Sequence, residues 1–69
     1  MTMRIETRYG GYYEVREVNS NLYEVFYCWN YNQKKGERMI ASKNTLKLAR
    51  ETARQIKKLY EMNYLSISR

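Results

Sequence analysis

Apolar and polar positions alternate along the first forty residues, and from Thr45 the apolar spacing changes to steps of three and four. Residues 3–9, MRIETRY, set Met3, Ile5, Thr7 and Tyr9 against Arg4, Glu6 and Arg8, the period of two expected of a strand. Gly10-Gly11 interrupts that run, as a turn or as a bulge in one longer bent strand. Residues 12–18, YYEVREV, predict a second strand, and Asn19-Ser20-Asn21 predicts a turn because Asn tolerates positive φ. LYEVFYCWNY, residues 22–31, is the strongest strand, being rich in aromatic and β-branched side chains. NQKKG, residues 32–36, reads as a polar hairpin loop and RMIA, residues 38–41, as a short strand.

In the second half Leu46, Ala49, Ala53, Ile56, Leu59 and Tyr60 fall on one stripe of a helix expected over residues 45–63. Ser42 or Asn44 could cap its start by accepting an unpaired backbone N–H, and residues 64–69 would form a tail. The order of elements predicts a single α+β domain over residues 1–69. It consists of a three- or four-stranded antiparallel sheet with one C-terminal amphipathic helix packed on one face.

Register can be argued from charge. A three-residue loop at 19–21 places Arg16 opposite Glu24, Val15 opposite Val25 and Tyr13 opposite Tyr27, each favourable pair contributing ~0.2–1 kcal/mol. A two-residue loop would set Glu17 against Glu24, which repel, so the first register is expected. The helix should then cover Tyr13, Val15, Tyr23, Val25, Tyr27 and Trp29, with Met39 and Ala41 from the last strand. The open face should carry Tyr12, Glu14, Arg16, Glu24, Phe26, Cys28, Asn30, Arg38 and Ile40.

Composition sharpens this picture. Residues 12–41 hold five of the eight tyrosines and the only Trp and Phe; large rings fill a small interior with few residues. Net charge is +6, and it is unevenly placed: residues 1–36 carry +1 and residues 37–69 carry +5. Such a basic balance on a small domain is the electrostatic footprint of a nucleic-acid binder, and is also found in proteins that dock on acidic protein surfaces. On the helix, Lys47, Arg50, Arg54, Lys57 and Lys58 fall within roughly 100° of arc, away from the apolar stripe. They read either as a solvated outer face or as phosphate contacts.

Chemistry is narrowed mainly by exclusion. The chain has no His and no Asp, so it lacks an ordinary general base near neutral pH and an imidazole metal ligand. Cys28 is the single cysteine and has no His to ionise it; a half-buried apolar role is expected. Gly10-Gly11 is not followed by a helix, which argues against a phosphate-binding loop. No enzyme activity, cofactor or metal is expected. With one cysteine, no secretory h-region and no apolar run near ~20 residues, the expected setting is a cytoplasm, without membrane attachment.

From Tyr12 to about Lys58, the aromatic strand LYEVFYCW, the loop QKKG, the strand ERMIA and the helix LKLARETARQI are arranged in a familiar way. The arrangement resembles the three-stranded-sheet DNA-binding domains of phage integrase arm-binding modules and plant ethylene-response factors. That resemblance implies a sheet docked in the major groove. Arg16, Asn30, Arg38 and Ile40 would then face DNA, and Lys34 and Lys35 would meet phosphate.

Two readings follow. The first is a small basic nucleic-acid-binding protein, DNA or RNA, encoded by a phage or mobile element and acting in the host cytoplasm. Its site would draw on Arg16, Asn30, Lys34, Lys35, Arg38, Lys47, Arg50, Arg54, Lys57 and Lys58. The second is a protein-binding module, an inhibitor of a host protein complex or a homodimer, with Tyr12, Phe26, Cys28 and Ile40 as an apolar interface and cations steering it to an acidic surface.

Overall fold

The structure, a computed structural model, describes the backbone of residues 2–7, 10–31 and 33–67, and their side chains apart from Thr2, Tyr31 and residues 62–67. Four strands, β1 (Thr2–Glu6), β2 (Gly11–Asn19), β3 (Leu22–Tyr31) and β4 (Lys34–Lys43), are followed by one helix, α1 (Leu46–Ile67). The strands pair antiparallel in the order β1-β2-β3-β4, an open meander, and α1 packs over β2, β3 and β4. This is the expected α+β arrangement in its four-stranded form.

Pairing of β2 with β3 follows the register argued from charge, with Arg16 opposite Glu24, Val15 opposite Val25 and Tyr13 opposite Tyr27. The turn itself is tighter than expected. Asn19 pairs with Leu22 across Ser20-Asn21, and the Asn21 amide donates to the Asn19 Oδ1 at 2.8 Å. Val18, half exposed, is the extra residue that restores the register beyond the turn. The expected first strand ends early, at Glu6. Thr7 closes the turn by donating N–H and hydroxyl bonds to the Gly11 carbonyl, while Gly10 takes φ of 90°. Arg8 and Tyr9 lie outside the described residues.

β4 is longer than the predicted 38–41. The polar run NQKKG is not a five-residue loop: Gln33 adopts φ of 68°, and Lys34 and Lys35 already pair with Tyr31 and Asn30. Asn32 lies outside the described residues. Within β4 a bulge changes the expected parity. Ala41 pairs with Val25, but Met39 pairs with Phe26, leaving Ile40 as an inserted residue. Ile40 packs against the core and Met39 is 50 % exposed on the open face, the reverse of the expected assignment. Arg38 shifts with them, opposite Tyr27 on the helix side, and Glu37 takes the open-face position opposite Cys28.

The helix is capped by Thr45 rather than by Ser42 or Asn44; its Oγ1 accepts the Leu48 N–H at 3.2 Å. Ala49 and Ala53 are fully buried against Tyr13, Val15 and Val25, and their small side chains let the helix lie close on the sheet. Leu46 and Ile56 extend this core. The predicted stripe stops there. Leu59 and Tyr60 are 59 % and 67 % exposed, and the helix continues to Ile67 where a tail was expected. Ser68 and Arg69 lie outside the described residues. No described helix is long and apolar enough to cross a membrane.

Candidate nucleic-acid interface

The open face of the sheet is a lattice of arginines lying over rings. Arg16 donates through Nε to Glu14 and through its two terminal nitrogens to the Glu37 carboxylate at 2.8 and 3.0 Å. Its guanidinium sits 4.0 Å from the centre of the Phe26 ring. Arg4 does the same at the neighbouring row, 3.7 Å from the centre of the Tyr12 ring, while pairing with Glu6 at 2.6 Å. The Arg16 hydrogen bonds hold the Glu37 carboxyl below its ordinary range, and Glu37, then Glu14, favour the charged form of Arg16. Cys28 is buried opposite Tyr12, and their hydrogen bond raises the Tyr12 phenol.

This lattice changes the standing of several expected site residues. Arg16 is committed to two carboxylates and a ring, not presented to a groove. Asn30 is exposed at the corner of this face, opposite Lys35, on the rim of an open concavity of about 730 Å³. Arg38 belongs to the other face. The apolar patch also fails to assemble: Tyr12 and Phe26 are half-buried under guanidiniums, Cys28 is 4 % exposed, and Ile40 lies in the core. The charges here come close to cancelling, with Arg4, Arg16 and Lys35 against Glu6, Glu14, Glu24 and Glu37.

The helix-bearing side is different. Along β4 the register sets Lys43 opposite Tyr23, Arg38 opposite Tyr27 and Lys34 opposite Tyr31, with Gly36 opposite Trp29 between them. Lys47, Arg50, Arg54 and Lys58 are exposed on α1 and Lys57 is half-buried. Against these eight cations stand Glu17, Glu51 and Glu61. None of the eight is ion-paired among the described residues, whereas both described arginines of the open face are. Glu17 instead accepts the Tyr23 hydroxyl at 3.3 Å, and Tyr23, whose phenol is raised first by burial and then by Glu17, ties that end of the sheet together.

The structure therefore brings Lys34, Arg38, Lys47, Arg50, Arg54, Lys57 and Lys58 to one side and leaves Arg16, Asn30 and Lys35 on the other. Arg4 and Glu37 were missed as contributors, and Lys43, just upstream of the basic helix arc, proves to be part of β4. Lys43 lies beyond the short fourth strand expected from the sequence. Arg4 could have been placed from the alternation of residues 3–7, had its pairing with β2 been followed. Glu37 could not, because the bulge at Ile40 sets its face. Compared with known proteins, the chain matches no family model, no curated protein and no solved structure.

Proposed function

We propose that this protein binds nucleic acid electrostatically through its helix-bearing side, and that the open sheet face is a stabilised surface, not a reader of bases. The observation that carries this reading is the sorting of charge: among the described residues, cations opposite the β3 tyrosines and along α1 lack carboxylate partners, whereas the open-face arginines are neutralised by Glu6, Glu14 and Glu37. Unpaired, solvated Lys and Arg are the groups that release counterions when they meet phosphate, and the resulting affinity is largely independent of sequence. Docking of the sheet in a major groove is not the mode supported here, since its outward row presents four glutamates to the phosphates. The protein acts by binding, without catalysis.

The test is fluorescence anisotropy with generic duplex and single-stranded oligonucleotides over a range of salt. Affinity should fall steeply and linearly on a log–log plot, with a slope set by the number of phosphates contacted. Micromolar protein that retains neither form at ~50 mM salt removes the reading.

A further inference from the structure

The helix-bearing side holds more than charge. α1 begins three residues after Lys43, which pairs with Tyr23, so to pack over β2, β3 and β4 it must run back toward the end of the sheet holding Trp29. Among the described residues its core contacts end at Ile56, and Leu59 and Tyr60, the next residues on that stripe, are 59 % and 67 % exposed. Trp29 is not among the residues that pack against the buried cluster under the helix. Its indole is stacked on Tyr27, ring centres 5.9 Å apart and planes 28° apart, and it occupies the space over Gly36 where a side chain would stand. Trp29 is half-buried and outside the main apolar cluster. The adjacent strand flanks this pair with exposed Arg38 and Lys34, and the distal half of α1 carries Lys57 and Lys58.

We infer that Trp29, backed by the core-packed Tyr27 ring, is a stacking platform for the bases of single-stranded nucleic acid, with the surrounding cations tracking its phosphates. This rests on the nucleic-acid reading above and adds the class of strand. Flat rings set among exposed cations suit a strand whose bases are unstacked and can lie on them, and every base offers such a face regardless of sequence. A duplex keeps its bases inside and can use only the cations.

The test uses the whole chain with a thymidine 12-mer and a duplex carrying the same number of phosphates, followed by anisotropy of a labelled oligonucleotide and by the emission of Trp29, the only tryptophan. The expected result is single-strand binding about tenfold tighter than duplex, with quenching of Trp29 by the single strand. Trp29→Leu should lose about tenfold in single-strand affinity and leave duplex affinity unchanged, while Trp29→Phe keeps most of the preference. Should Trp29→Leu fail to fold, quenching and protection of Trp29 from acrylamide in the unaltered protein decide the matter. Equal affinity for the two forms, or a single-strand preference without any change in Trp29 emission, overturns the platform and leaves electrostatic binding standing. Absence of binding to both overturns both proposals.

Discussion

Arg16 on β2 reaches across β3 to Glu37 on β4, lying over the Phe26 ring as it does so. Three strands are thereby tied together on a face that no helix covers. Because Arg16 holds the Glu37 carboxyl below its ordinary range, Glu37 adds stability that is fully present above the unfolded glutamate pKa. That contribution is lost as pH falls through the depressed folded value. Urea unfolding of the wild type and Glu37→Gln should differ at pH 7, with the variant weaker, and the gap should close near pH ~3. A gap that persists undiminished in acid means the carboxylate charge is not what Arg16 uses.

The bulge in β4 makes two neighbouring apolar residues behave oppositely. Met39 is half exposed beside Phe26, and Ile40 packs against the core. Met39→Ser should change stability by less than ~0.5 kcal/mol, as exposed substitutions do. Ile40→Ser should cost about 1–2 kcal/mol through lost apolar burial. Chemical denaturation of the two variants checks this, and equal costs would deny the inserted residue at Ile40.

That pair also marks where the sequence stopped being readable. The strand type and faces of residues 12–29 followed from alternation and charge pairing, because a register slip of one residue would have buried Glu14, Arg16 and Glu24 under the helix. On β4 the adjacent Met39 and Ile40 break the alternation, and nothing local says which of them faces inward. The answer depends on Ala41 meeting Val25 beneath the helix. The basic arc of α1 was legible from helical spacing alone. The neutralisation of Arg16 was not, since it depends on Glu37 arriving on the same face through that bulge.

Gly36 is required by Trp29. A Cβ at Gly36 would fall within the indole of Trp29, which therefore must move if any side chain is added. Gly36→Ala should destabilise by about 1–3 kcal/mol, the range of overpacked sites. It should also shift Trp29 emission to the red as the ring is pushed into water. Unchanged emission and stability would place the indole elsewhere.

Charge removal on the two sides of the sheet should have separable consequences. Arg50, Arg54 and Lys58 are exposed and without carboxylate partners among the described residues, so replacing each with Ala should leave stability within ~0.5 kcal/mol. For each that meets a phosphate, the dependence of log affinity on log salt should become shallower by about one. Arg16→Met on the open face removes an equal formal charge but strands Glu14 and Glu37, so it should lower stability without altering the salt dependence of binding. Net charge falls by one in every variant, so a field acting only through the total charge would weaken all four alike. A loss confined to the three helix variants identifies contact, and a loss produced by Arg16→Met with the helix variants unaffected would return the binding surface to the open sheet.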